Sequence, residues 1–160
     1  MSVEGLPETL RALDSQRGAY RRAIRDTILR LSMLMVGKVK DSKLSGQVLN
    51  VRTGRLRRSI NMKLEETPAE VAGYVGTNVV YARPHEFGLT MDEQVKEHMR
   101  TATQAWGRMI KNPHATLVRA HVRHVTLPER SFLRSTLEEM QPQIKAELAS
   151  AMENARGAGV

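Results

Sequence analysis

Histidine is the residue in this chain with the most chemistry to offer, and there are five: His85, His98, His114, His121 and His124. An imidazole can ligate a metal or move a proton near neutral pH. The spacing supports neither use. His85 stands beside Glu86, but no second histidine follows at HExxH spacing and no further ligand is placed to help. Ser42, Ser45, Ser59 and Ser131 lack the GxSxG setting of a nucleophile elbow. There is no phosphate-cradling glycine loop and no cysteine, which removes thiolate nucleophiles, disulfides and cysteine-based zinc sites. The expectation is a protein that is not an enzyme, with no catalytic residue, metal site or cofactor.

Arginine is the better candidate. VRTGRLRRSI places Arg52, Arg55, Arg57 and Arg58 within seven residues, and guanidinium groups bind phosphates or carboxylates bidentately. A solvated helix face would explain them too, but a loop–helix junction suits contact with a subunit or partner. A second set follows. Lys96, His98 and Arg100 share one strand face if the segment alternates, and Arg119, His121 and Arg123 share another. Pairing the two strands would merge them into one basic face. Such a face is hostile to a metal and suits an acidic neighbour such as another subunit, although plain solubility would also account for it.

The charge distribution points the same way. Net charge is +8, with 14 Lys/Arg against 5 Asp/Glu in residues 1–63 and 11 against 12 in residues 64–160. A basic first part favours an acidic partner, either nucleic acid or an acidic protein surface. Aromatics are only 4% of the chain, few for a single-strand stacking platform once a core is built.

The elements that must carry these residues are legible in the periodicity. Leu6, Leu10, Leu13, Tyr20, Ile24, Ile28, Leu31, Met35 and Val39 form one helical stripe, predicting a helix over 7–42. Pro7 suits its first turn, and Gly18 or Gly37 can break it. Residues 41–52 read as an exposed loop. Thr53 can cap a short helix. Ile60, Met62 and Leu64 then alternate with polar residues, and 71–77 return as the second strand of a hairpin, with Gly73 and Gly76 as bulge or close-packing positions. Residues 78–89 make a connection ending at Gly88. A longer hairpin of 95–106 and 116–125 follows, with a loop at 107–115 containing Gly107, Asn112 and Pro113. Its strands would reach roughly 35–40 Å. A helix over 129–155 closes the chain, with Thr126 and Glu129 at capping-box spacing and Pro142 expected to kink or break it. Residues 156–160 should fray. The class is α+β: long helix, two antiparallel hairpins forming a sheet, long helix, in one domain over 1–160. No signal peptide or membrane span is visible, so a soluble, intracellularly made protein is expected.

Three stretches, taken in order, resemble the tail-completion proteins of long-tailed bacteriophages, also called head–tail connector or virion-morphogenesis proteins. They are VRTGRLRRSI (51–60), VGTNVVYARPHEFG (75–88) and LPERSFLRSTL (127–137). The family often has proline where this chain has Ser131. Gly54 and Gly88 fit turns where a Cβ is costly. Tyr81 and Phe87 are expected to pack the connection against the sheet. Glu86 is expected to bond backbone donors or to pair with an arginine such as Arg130. Pro128 should fix the approach to the last helix, and Phe132 with Leu133 should bury its first turn.

The resemblance implies a structural protein of the virion neck, made in the host cytoplasm. It implies a ring of copies, commonly sixfold, around the DNA channel. Neighbours would be a head-side connector or stopper protein and a tail terminator or tail tube protein, with weak DNA contact in the channel and no membrane. Its mechanism is then geometry, since a heterologous interface that closes by rotation makes a ring. The alternative reading is a basic nucleic-acid-binding protein, and a small hydrolase comes third. Within the neck reading the arginines belong first to contacts between proteins.

Overall fold

The apolar stripe of the first segment folds as a single rod, α1 (Leu6–Lys38), about 50 Å long at 1.5 Å per residue. The computed structural model describes residues 6–105 and 108–157. Trp106, Gly107 and most of the tail expected to fray (158–160) lie outside the described residues. Neither Gly18 nor Gly37 ends α1. The chain winds on through a π-helical turn, Val39–Lys43, closed by Leu44 N donating to Val39 O at 3.1 Å. Ser42 and Ser45 hydroxyls donate to the carbonyls of Lys38 and Lys40, satisfying groups that a helix end leaves without partners.

Residues 41–52, expected as an exposed loop, are exposed only in part. Leu44 and Leu49 are 3% and 9% exposed and join the core of Met35, Val39, Ile60, Val79, Phe132 and Met140. Val48 N and Leu49 N both donate to Lys43 O, folding the segment back on itself. Two buried leucines five residues apart fit neither the helical nor the strand period, so patterning passes over them.

Helix α2 (Arg55–Ser59) leads into the first hairpin, β1 (Asn61–Glu66) and β2 (Val71–Gly76), in register from Asn61↔Gly76 to Glu66↔Val71. The hairpin lies on α1. A Cβ at Gly73 would stand 2.3 Å from Ser32 Oγ and 2.9 Å from Ile28 Cγ2. The close-packing reading of Gly73 therefore holds, whereas Gly76 has open space. Gly73→Ala should cost about 1–3 kcal/mol by overpacking, and Ser32→Ala in the same chain should recover part of it. Denaturant melts of the three variants check this, and an unchanged midpoint for Gly73→Ala would refute the close approach.

The last helix, α4 (Arg134–Gly157), begins five residues later than expected and runs on through Pro142 without ending. It lies antiparallel to α1. Lys38 pairs with Glu139 at 3.2 Å, and Arg30 Nη2 lies 2.5 Å from Glu147 Oε2, a close charge contact without hydrogen-bond alignment. Both pairs have residue numbers summing to 177, so Gly157 falls opposite about residue 20. The first hairpin stops at the same level, its turn held by Arg21 through Glu66 and the carbonyls of Thr67 and Pro68. The opening turns of α1 thus project past both neighbours, leaving Leu10 and Leu13 more than half exposed.

After α3 (Ala82–Phe87) the chain forms the long hairpin in three paired stretches: β3 (Leu89–Val95) with β8 (His121–Leu127), β4 (His98–Thr101) with β7 (Ala115–Val118), and β5 (Gln104–Ala105) with β6 (Arg108–Met109). Paired residue numbers sum to 216 in the first two stretches and to 213 in the third. The break at 96–97 and 119–120 is therefore without slippage. Five residues, 110–114, face two, 102–103, an excess of three on the returning strand. The expected loop at 107–115 is thus corrected: Ala105 already pairs with Arg108, and 110–114 are a bulge within the ribbon. From Leu89 to Ala105 the ribbon spans about 55 Å at 3.3 Å per residue, longer than the sequence reading. The α+β class stands, with one correction. The two hairpins stay separate two-stranded units and do not merge into one sheet, because α3 and Gly88 redirect the chain between β2 and β3.

Candidate functional site

Two surfaces gather the residues singled out from the sequence. The first is built where the three motif stretches meet. Gly54 takes φ +68° and is the N-cap of α2, so the capping place expected of Thr53 is occupied by glycine. Thr53 Oγ1 accepts only a long bond, 3.4 Å, from Arg55 N. At the other end of α2, Ser59 Oγ donates to Leu56 O (2.8 Å) and shares a 2.6 Å hydrogen bond with Thr77 Oγ1, which accepts from Val79 N. The first stretch is tied to the second in this way.

Glu86 ties the second stretch to the third. The residue is buried, 4% exposed. Oε1 accepts from Ser131 Oγ (2.8 Å) and Arg134 N (2.8 Å), and Oε2 from Phe132 N (2.8 Å) and Leu133 N (3.0 Å). Burial pushes this carboxyl up, but the three backbone donors and the serine hydroxyl together hold it below the ordinary range. Of the two expectations for Glu86, the backbone donors are met. Arg130 instead contributes its backbone N–H to His85 O at 2.8 Å. The Thr126–Glu129 capping box does not form: Thr126 pairs with Thr90 inside the ribbon, and Glu129 pairs with Arg134. A cap supplied from 45 to 48 residues away leaves no local sequence signature.

Ser131 has a use that proline would lack, because its hydroxyl also accepts from Ser135 N at 3.1 Å. Gly88 has φ +72° and ψ 169°, and a Cβ there would press on Leu127 O and Glu129 N at 3.1 and 3.2 Å. That conformation is close to glycine-only. Phe132 is fully buried and Leu133 packs beside it, as expected, while Pro128 is exposed and lies before α4 begins. Tyr81 and Phe87 depart from expectation: they are 42% and 60% exposed. Tyr81 meets the edge of His85, and Phe87 lies under the Arg134 guanidinium, 5.7 Å from its ring centre.

These ties enclose a cleft of about 570 Å³ to which all three stretches contribute. Its basic side chains are Arg52, Arg55 and Arg57 from the first stretch, His85 from the second and Arg130 from the third. Arg57 is anchored, donating to Lys40 O (3.1 Å) and Asp41 Oδ1 (3.0 Å). Among the described residues, Arg52, Arg55 and Arg130 have no side-chain partner, and no carboxylate lines the cleft. Arg58 lies on α2 outside it.

The second surface is the ribbon. All six of its predicted residues are exposed: Lys96, His98, Arg100, Arg119, His121 and Arg123. They do not merge into one basic face. His98 and Arg100 lie opposite Val118 and Thr116, while His121 and Arg123 lie opposite Val95 and Glu93. Arg123 forms an ion pair with Glu93, and His124 bonds Asp92 at 2.6 Å. The sequence reading missed these acids because it began the strand at Val95 and not at Leu89. His98 Nδ1 and His121 Nδ1 each sit 2.9 Å from the carbonyl two residues earlier, Lys96 O and Arg119 O. A carbonyl only accepts, so each Nδ1 carries the proton. The two rings bind backbone released by the break in the ladder.

The ribbon also has apolar character. Met91 lies opposite Val125, and Met99 opposite Leu117. Met91, Met99, Leu117 and Val122 are among the large exposed side chains. Among the described residues, no extended packing covers the ribbon from the helices or from the first hairpin. Among the described residues no group of three or more metal-ligating side chains converges, and no helix is long and apolar enough to cross a membrane. Seven of the basic residues in 1–63 have carboxylate partners: Arg21, Arg25, Arg30, Lys38, Lys43, Arg57 and Lys63. The N-terminal excess of charge is thus partly neutralised within the fold.

A family model described as the phage virion morphogenesis family matches residues 33–154. That span takes in the cleft, the ribbon and most of α4, and leaves out the projecting turns of α1. Comparison with curated proteins gives no match, and comparison with solved structures gives none either.

Proposed function

Because this chain belongs to the phage virion morphogenesis family, we propose that it is a tail-completion subunit of the phage neck, acting by assembly and not by catalysis. Copies form a ring around the DNA channel, commonly of six, between head-side connector or stopper proteins and the tail terminator or tail tube. The observation that carries this reading is the ribbon. A two-stranded hairpin is marginally stable in water at best. One of about 55 Å that exposes methionine, leucine and valine gains from a surface to lie on. A neighbouring copy at a heterologous interface supplies that surface once per subunit. Both oxygens of Glu86 are committed to capping α4, which withdraws its carboxylate from use as a base beside His85.

Nucleic-acid binding is the weaker reading. The ion pairs within the N-terminal part and the acids opposite Arg123 and His124 reduce the charge a duplex would meet. Purified virions labelled with an antibody to this chain test the proposal by electron microscopy. Label at the head–tail junction is the expected result. Label spread along the tail or over the capsid, or none on finished particles, would overturn it.

A further inference from the structure

We propose that the arginine cleft is a receptor for a short acidic stretch of a partner protein, one that carries an apolar side chain among its carboxylates. The inference rests on the assembly reading and names the chemistry of one contact. Arg52, Arg55 and Arg130 enter one concavity from three parts of the chain without a side-chain partner among the described residues, and no carboxylate is present to neutralise them. Planar guanidinium forks suit carboxylates, which they can hold by two parallel hydrogen bonds.

The floor separates a protein segment from a bare anion. Leu44, Leu49 and Leu56 line the cleft, Val51 stands more than half exposed at its edge, and Tyr81 closes one side. A pocket of about 570 Å³ with cations over an apolar floor accepts one or two side chains and their backbone. A DNA duplex presents phosphates on a convex surface and cannot reach the floor. A bare phosphate would leave the apolar lining without a counterpart. The position is fixed from several sides, because Ser59–Thr77 sets α2 against the β2–α3 connection and Glu86 sets α3 against α4. The backbone that bears Arg55 and Arg130 is thus set before a partner arrives, which lowers part of the ordering cost of binding.

The test uses the full chain and a fluorescent octapeptide, Glu-Glu-Leu-Glu-Glu-Leu-Glu-Glu, followed by anisotropy at low salt. Saturable binding is expected, tighter than for an all-glutamate octapeptide. Arg55→Ala and Arg130→Ala should each weaken it about tenfold, the scale of one charge-assisted contact. Arg55→Lys should weaken it less, and Arg156→Ala, at the far end of α4, should leave it unchanged. Thermal melts of every variant confirm that the fold is kept. Absence of peptide binding overturns the inference. So does tighter binding of an oligothymidylate of equal charge, or displacement of the peptide by inorganic phosphate at comparable concentration. Virion labelling reads the neck assignment independently: a neck label without peptide binding removes the cleft inference alone, and peptide binding without a neck label removes the neck assignment alone.

Discussion

Glu86→Gln lowers the melting temperature by about 10 °C or more. The native carboxylate accepts four hydrogen bonds, three of them from the backbone at the start of α4. An amide keeps one accepting oxygen and turns an NH2 either toward Arg134 N and the Ser131 hydroxyl or toward Phe132 N and Leu133 N, so at least one backbone donor is left bare. Hydrogen bonds to a charged group contribute about 1.5–3 kcal/mol each, and buried donors left bare cost about 1–3 kcal/mol. These effects are not additive, so the expected loss is about 3–5 kcal/mol. In a domain of this size 1 kcal/mol moves the melting point by roughly 2–4 °C. Phe132 and Leu133 stand directly in the capped turn and carry the loss into the core. Arg130→Ala is the contrast: its side chain has no partner among the described residues, so stability should change by no more than about 0.5 kcal/mol. If Glu86→Gln melts within 2 °C of the parent, the capping role assigned to Glu86 is wrong.

The same carboxylate gives stability a pH dependence of known sign. Its folded pKa lies below the ordinary value. On acidification the unfolded chain therefore takes up the proton first. The contribution is complete above the unfolded pKa of about 4.3 and is lost as pH falls through the lower folded value. Glu66 shifts the same way because of its hydrogen bond from Arg21, and Glu139 because of those from Lys43 and Lys38. Both are surface groups with small effects. Melts between pH 7 and pH 3 should show a steep acid loss in the parent and a shallower one in Glu86→Gln. Parallel curves would mean that Glu86 is not the group being titrated.

What the sequence could reveal depended on how far apart the cooperating residues stand. The stripe of α1 is a matter of neighbours three and four apart, and it folds as read, down to Met35 and Val39 in the core. Gly54, Gly73 and Gly88 were legible too, because a glycine at a turn or a close approach answers a local demand. Leu44 and Leu49 were not, since their burial follows a π-helical turn that no simple period describes. The cap on α4 was not, because its donors and acceptor are separated by 45 to 48 residues. The cleft was half legible. Its arginines were visible in VRTGRLRRSI, but Arg130 was assigned to Glu86, and His85 was weighed only as a catalytic group. The two basic triads of the ribbon were correct as exposed residues and wrong as a joint face. Joining them required a register that places Arg119 opposite a basic residue, whereas the observed one pairs His121 with Val95 and Arg123 with Glu93.

Shortening the ribbon should separate folding from assembly. Val95 and His121 are directly paired, so replacing residues 96–120 by Asn-Gly joins them through a two-residue turn of the kind that closes antiparallel hairpins. The stub keeps the Arg123–Glu93 and His124–Asp92 pairs and the junction at Gly88. The core lies elsewhere, around Val39, Ile60, Phe132 and Met140, so the melting temperature should stay within about 3 °C of the parent, a change below roughly 1 kcal/mol. Assembly should respond differently. Met99, Leu117 and Met109 leave with the deleted segment, together with four of the six basic residues singled out from the sequence: Lys96, His98, Arg100 and Arg119. Losing that surface removes what a neighbouring copy would cover. Circular dichroism reports the fold, native mass spectrometry the oligomer, and immunoblots of purified particles the incorporation into virions. A shortened chain that melts like the parent but neither oligomerises nor enters particles is the expected outcome. One that still assembles would move the subunit contact away from the ribbon. One that unfolds would mean that the ribbon belongs to the core after all.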